Sequence, residues 1–185
     1  MIIIAVLIAA IVLLDQFTQS LAIHHLPIGS NVSALDPVFH FHYNENRGAA
    51  WNILEDHPWV FMVFSSVAII AILVFLFIYR KKQLHPILRY GLTLIVGGGI
   101  GNMIDRIARG FVVDFIEFGF VDFPIFNVAD SFITVGSFSI LIYLIIDLIK
   151  EFKAKSSSKT EISNTEGSDG TDTSDGTDTT EKEHD

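Results

Sequence analysis

Between Trp59 and Tyr79 the chain runs for 21 residues without a charged side chain, and an aromatic residue stands at each end. The hydrocarbon core of a bilayer is about 30 Å thick, and roughly 20 apolar residues in a helix cross it. Inside lipid no water is present to bond the peptide groups, so such a segment folds as a helix. This stretch commits the chain to a membrane, and three other runs extend the commitment. Met1 to Leu14 is wholly apolar, and the pattern resumes through Ile23. As one helix this segment is about 34 Å long at 1.5 Å per residue. It lacks the basic n-region of a cleaved leader, which argues for a retained helix. Pro86 to Ile104 makes a third span, thinned by glycines, and Phe132 to Ile146 a fourth that ends at Asp147 and Lys150. The expectation is an all-α membrane protein with four transmembrane helices.

Basic residues orient the spans. Arg80, Lys81, Lys82 and Arg89 lie in the short link between the second and third helices, and Lys150, Lys153 and Lys155 follow the fourth. With four spans all seven fall on one side, which the positive-inside rule makes cytoplasmic. Both termini are then expected inside, with the 24–57 connection, Asp105, Asp114 and Asp130 on the outer side.

Against this apolar background one stretch is out of place. It reads Gly97-Gly98-Gly99-Ile100-Gly101-Asn102-Met103-Ile104-Asp105-Arg106, then Val112-Val113-Asp114-Phe115, then Asn127-Val128-Ala129-Asp130. Ionisable groups near lipid are expensive and face a protein interior or a water-filled site. A single Asp is well explained as a helix cap or as a partner of Arg106 or Arg109. Several, flanked by Asn and small residues, point to a polar site. Gly97 and Gly101 form a small-xxx-small pair that lets another backbone approach closely. Asn102, Asp105 and Arg106 are three and four residues apart, which predicts one shared helix face. By the same spacing Asp15 and Gln19, with Thr18 beside them, form a polar stripe near the outer end of the first helix.

The 24–57 connection is mixed and polar. His40-Phe41-His42-Tyr43 alternates as an edge strand does, so His40 and His42 share a face. No third ligand stands at recognisable spacing, and interfacial histidines are the simpler reading. Further on, Gly48 permits a tight turn, and Trp51 with Ile53 and Leu54 suits an interfacial segment. The 185-residue chain has no Cys, which removes disulfides, a thiol nucleophile and Cys-ligated metal from consideration. Its net charge of −9 comes mainly from the end: residues 156–185 hold nine Asp/Glu against two Lys, leaving the other 155 residues near −2. No basic surface for a nucleic-acid partner is present. Ser-Asp-Gly-Thr-Asp-Thr occurs twice in tandem, at 168–173 and 174–179, in a segment too polar to bury a core. Two regions are therefore expected: a four-helix membrane domain over 1–155 and a disordered acidic cytoplasmic tail over 156–185.

Asp114 lies in the strand-like run Val112–Ile116, where Val112, Asp114 and Ile116 share a face. Asp130 falls at or just inside the start of the fourth helix, whose positive end favours a carboxylate. Two carboxylates brought together cannot easily both ionise and so share a proton. Such a pair suits peptide hydrolysis, one carboxylate taking a proton from water while the other protonates the carbonyl oxygen. Asn102 and Asn127 are placed to hold peptide or carboxylate groups. Spacing alone does not select Asp114 and Asp130 over Asp105 and Asp15.

Five blocks in order closely resemble the lipoprotein signal peptidases (signal peptidase II), membrane aspartyl proteases of bacteria. They are Asp15-Gln16-Phe17-Thr18, Asn46-Arg47-Gly48-Ala49-Ala50-Trp51, Gly101-Asn102-Met103-Ile104-Asp105-Arg106, Val112-Val113-Asp114-Phe115 and Asn127-Val128-Ala129-Asp130. The resemblance covers roughly residues 1–150. It implies that Asp114 and Asp130 are the catalytic dyad. It also implies that Asp15, Asn46, Gly48, Asn102, Asp105, Arg106 and Asn127 bind substrate or support the site. A small extracytoplasmic β-cradle and a short extracytoplasmic helix over the site would map onto residues 24–57. The implied protein is a monomer of the bacterial cytoplasmic (inner) membrane that needs no metal or organic cofactor. Its partners would be lipid-modified prolipoproteins and membrane lipid, and it would remove the signal peptide just before the lipidated Cys. Gln19 stands where the first motif often has Lys, and Trp51 and Asn52 replace the more usual Phe and Ser. The rival readings are a proton-coupled transporter using the Asp residues as a relay, and a structural membrane subunit. The first conflicts with carboxylates gathered at one surface, and the second leaves the Asp/Asn blocks unexplained.

Overall fold

The computed structural model describes residues 1–27, 29–35, 38–48, 58–82 and 84–166. Among the described residues four α-helices form: α1 (Ile2–His25), α2 (Pro58–Ile78), α3 (Pro86–Arg109) and α4 (Val128–Glu166). Each contains a stretch long and apolar enough to cross a membrane. Outward-facing positions carry large apolar side chains, among them Ile3, Phe17, Phe64, Phe77, Ile107 and Leu141, because lipid is the surrounding solvent. The buried positions of α1, which are Ile4, Ile11, Asp15, Gln19 and Ala22, follow one narrow stripe. α3 is the most enclosed helix, with Thr93, Val96, Gly97, Gly98, Gly101 and Asp105 all buried.

The ends of the helices follow their sequence signals. Pro86 occupies the first turn of α3, where its missing N–H costs nothing. Gly110 closes the same helix in the left-handed region at φ +81°, its N–H donating to the Arg106 carbonyl at 3.2 Å. That cap carries α3 past Ile104 to Arg109. α4 begins at Val128, ahead of the apolar run itself, because Asn127 caps it. At its other end α4 continues to Glu166, so the first residues after Lys155 prolong the helix; propagation adds one bond per residue once a long span has nucleated it. The rest of the expected tail, 167–185, lies outside the described residues. By its internal contacts the chain divides within α4 into a unit from Met1 to Tyr143, which holds the sheet and the site, and a second unit from Leu144 onward.

The small sheet forms in the order β1 (Asn31–Leu35), β2 (Phe39–Asn46), β3 (Val112–Phe118), antiparallel throughout. β2 is therefore the central strand, where an edge strand was expected: its alternation reflects two unlike faces rather than an open edge. His42 sits 3.3 Å from Glu117, and Asn31 donates to the same carboxylate at 3.0 Å, so these groups satisfy one another across the sheet. β2 opposes Asn44 to Asp114 and Asn46 to Val112, with an irregularity between Phe41 and Asn44. Phe126 clips onto β3 by reciprocal bonds with Ile116 of 2.8 and 3.0 Å. The next residue, Asn127, is thereby delivered beside Asp114. Trp51, Asn52 and the expected short extracytoplasmic helix lie outside the described residues.

The glycines of α3 divide their work differently from the expected pair. Gly97 and Gly101 seat α1 side chains, Ile11 and Asp15 respectively. The close backbone approach is made by Gly98, against the Ala129 carbonyl of α4, and by Gly91 facing Gly136. A methyl at Gly98 has no room unless α4 moves, and overpacking of this kind costs about 1–3 kcal/mol. Gly98→Ala should therefore lower the thermal midpoint in detergent by several degrees, whereas Ala108→Leu on the exposed side of α3 should leave it near wild type. An unchanged midpoint in Gly98→Ala would contradict the tight α3–α4 crossing.

Candidate active site

Asn127 organises the start of α4. Its Oδ1 accepts from the Asp130 backbone N–H at 2.8 Å, while Asp130 Oδ2 accepts from the Asn127 N–H at 3.3 Å. This reciprocal pair is a capping box with Asp in the place of the usual Glu. A simple cap is thus part of what Asp130 does. The Asn127 side-chain amide also donates in two directions, to Asp114 Oδ1 at 2.9 Å and to Asn102 Oδ1 at 3.0 Å. Asn102 in turn donates to Asp130 Oδ1 at 2.7 Å. The Asn127–Asn102 pair therefore links the two aspartates, one from β3 and one from α4. Asn46, on β2, completes the frame by donating to Asp114 Oδ2 at 2.8 Å and accepting from the Gly48 N–H at 3.0 Å.

Arg106 lies one turn beyond Asn102 on the same face of α3. Its guanidinium donates to the Asn102 carbonyl at 3.2 Å and to the Gly48 carbonyl at 3.1 Å, tying the end of β2 to the helix. Asn46, Asn102, Arg106, Asp114 and Asp130 together form the polar side of a cleft of about 720 Å³. Phe118, Phe123, Phe126, Ile133 and Val135 supply apolar walls. Asp114 is only 1% exposed, and burial, reinforced by the nearby charge of Asp130, pushes its carboxyl up to about 8. The Asn46 and Asn127 amides and the Arg106 cation oppose that rise. At neutral pH Asp114 accordingly holds a proton beside a second carboxyl group at the positive end of α4.

Asp15 and Asp105 were expected near this site, and the structure puts them behind it. Both are fully buried where α1 meets α3. Asp15 Oδ1 accepts from the Ala129 N–H at 3.0 Å, satisfying an amide in the first turn of α4 from another helix. Its Oδ2 accepts from Gln19 at 3.0 Å. Asp105 Oδ1 accepts from Gln16 at 2.9 Å and from Arg109. Asp105 therefore turns away from the face shared by Asn102 and Arg106: around the helix it lies about 60° from Asn102 and about 100° from Arg106, an offset that the i,i+3 spacing alone leaves undecided. The pairing of an Asp with Arg109, expected as the simple reading for a single carboxylate, is found at Asp105, whereas Gln16 was not singled out. The available signal for Arg109 was its i,i+4 spacing from Asp105; adjacency of Gln16 to Asp15 carries none.

The chain is similar to known proteins. The model of the family described as signal peptidase (SPase) II matches residues 7–146. A lipoprotein signal peptidase from Brevibacillus brevis is 40% identical over 139 residues, covering 75% of this chain and 92% of that protein. One from Streptococcus pneumoniae is 40% identical over 149 residues, covering 80% of this chain and 94% of its own length. A solved structure described as a bacterial membrane enzyme, obtained by the in meso method at 2.3 Å resolution, superposes with a TM-score of 0.72 at 33% identity. It covers 78% of this chain and 88% of that one.

Proposed function

This chain belongs to the signal peptidase II family, and we propose that it removes the signal peptide from diacylglyceryl-modified prolipoproteins just before the lipidated Cys, with Asp114 and Asp130 as its catalytic pair. The single observation that carries the assignment is the amide bridge. Asn127 and Asn102 join the two carboxyl groups across one cleft whose other walls are apolar. The polar floor suits a scissile peptide bond, and the apolar walls suit a signal-peptide side chain or an acyl group. Asp130, held by a side-chain amide and a backbone N–H, takes the proton from an attacking water. Asp114 gives its proton to the carbonyl oxygen, forming a tetrahedral gem-diol. As the C–N bond breaks, Asp130 passes its proton to the leaving amine nitrogen and Asp114 recovers one from a gem-diol hydroxyl, restoring the starting pair. Asn46, Gly48, Arg106 and Asn127 hold the pair and the cleft wall in place. Asp15 and Asp105 support it from behind.

The protein is a multi-pass membrane protein, and the basic clusters at 80–89 and 150–155 support cytoplasmic termini and an extracytoplasmic cleft. A lipid anchor then brings the scissile bond to the outer membrane surface, where water and substrate meet without crossing the bilayer. A monomer suffices, since every residue of the bridge comes from one chain. Residues 1–155 are read as the peptidase domain and 156–185 as an appendage.

In single-turnover cleavage of a lipidated model prolipoprotein, Asp114→Asn and Asp130→Asn should each lose at least ~100-fold in rate, the range expected for a general acid or base. The double variant should be little worse than either single one, because the two act as a unit. Near-normal turnover in either folded single variant would sink the aspartyl mechanism. For topology, reporters fused after Arg89 and after Lys155 should both report cytoplasm, and one within 30–40 the outside; an outside signal after Arg89 would invert the arrangement.

A further inference from the structure

Behind the cleft two fully buried carboxylates, Asp15 and Asp105, lie against each other's helices. Arg109 is the cation that pairs with one of them, Asp105. It is part-exposed at the last turn of α3 and donates to Gln19 Oε1 at 2.9 Å. Asp105 Oδ2 is buried without a partner among the described residues, so Arg109 and Gln16 on the other oxygen carry its compensation. The contact with Gln19 has a second consequence. A primary amide can sit either way round, and the choice follows from its hydrogen bonds. With the guanidinium against Oε1, Nε2 is turned to Asp15, where it donates at 3.0 Å. Asp15 spends its other oxygen on the Ala129 N–H, one residue before Asp130. Gly101 makes the room, since a methyl there would meet Asp15 Oδ2 at 2.6 Å.

We infer that Arg109 is a positioning residue for the reaction, acting through Gln19 and Asp15 on the first turn of α4 and hence on Asp130. The inference rests on the dyad reading above. Without Arg109 nothing anchors Gln19 Oε1, the side chain is free to swing off Asp15, and the carboxylate loses a donor that fixes it against the Ala129 N–H. The effect is a displaced Asp130, not an emptied cleft, so it falls on the chemical step more than on substrate binding.

The route through Asp15 makes a distinctive prediction. Lys at position 19 stands one turn from Asp15 and would place a donor and a charge on it directly, with no need of Arg109. The experiment uses the full chain in detergent with a lipidated model prolipoprotein. It compares wild type, Arg109→Gln, Arg109→Lys, and Arg109→Gln combined with Gln19→Lys, with melting temperature measured for each. Arg109→Gln should lower kcat about tenfold with KM within twofold, and Arg109→Lys should retain most of kcat. The combined variant should return to within about threefold of wild type. Full kcat in folded Arg109→Gln, a loss confined to KM, or a folded combined variant still tenfold slow would overturn the inference. If Arg109→Gln does not fold, the combined variant decides alone by the same threshold. Asp130→Asn is assayed alongside: its retention of turnover would remove the dyad reading itself. An inert Asp130→Asn beside an unaffected Arg109→Gln would remove this inference only.

Discussion

The arrangement of this protein depends on the cost of holding carboxyl groups beside lipid. Asp15, Asp105 and Asp114 are all at or near zero exposure, so protein groups must take the place of the water that would otherwise solvate them. The chain meets that cost mainly with neutral amides, the cation of Arg109 on Asp105 being the exception. Asn46, Asn127 and Asn102 serve Asp114 and Asp130; Gln16 and Gln19 serve Asp105 and Asp15; backbone N–H groups of α4 serve Asp15 and Asp130. Amides donate without neutralising. A carboxyl pair framed in this way stays free to keep or release a proton, which a tight ion pair with Arg106 would prevent. Arg106 instead spends its bonds on carbonyls of Asn102 and Gly48 and biases the site from one step away.

That economy works only if three helices and a sheet meet within hydrogen-bond distance. Small residues on α3 allow it: Gly98 admits the Ala129 carbonyl, and Gly101 admits the Asp15 carboxylate. The sheet contributes by register. β2 sets Asn44 opposite Asp114, which brings Asn46 over the same carboxyl group, and the clip between Phe126 and Ile116 turns the chain directly into the cap of α4. Positioning of the two aspartates is thus shared between a strand and a helix start, both rigid elements, with backbone bonds fixing each.

Much of this was legible in the sequence. The spans follow from uninterrupted apolar runs, because lipid leaves the backbone one solution per run. The five polar blocks marked the site because polar residues among spans need a reason. Other features were beyond reach for physical reasons. Asn102, Asp105 and Arg106 fall within one turn, and only packing decides that Asp105 faces α1 while its neighbours face the cleft. β2 reads as an edge strand because alternation reports two unlike faces and not the number of neighbours. Asp15 could not be separated from Asp130 by spacing: both are single carboxylates in apolar helices, and their roles diverge through the partner each meets, Ala129 N–H or the Asn102 amide.

The central claim is that Asp114 keeps its proton at neutral pH because it is buried beside Asp130. Infrared titration of the detergent-purified protein reads this directly through the C=O stretch of a protonated carboxyl group. A group raised to about 8 is protonated below that value and ionises only as pH climbs through it, so the band should persist at pH 7 and fade between roughly 7 and 9. It should be missing from Asp114→Asn. Disappearance of the band near pH 4 in folded wild-type protein, or its unchanged presence at pH 7 in Asp114→Asn, would contradict the account.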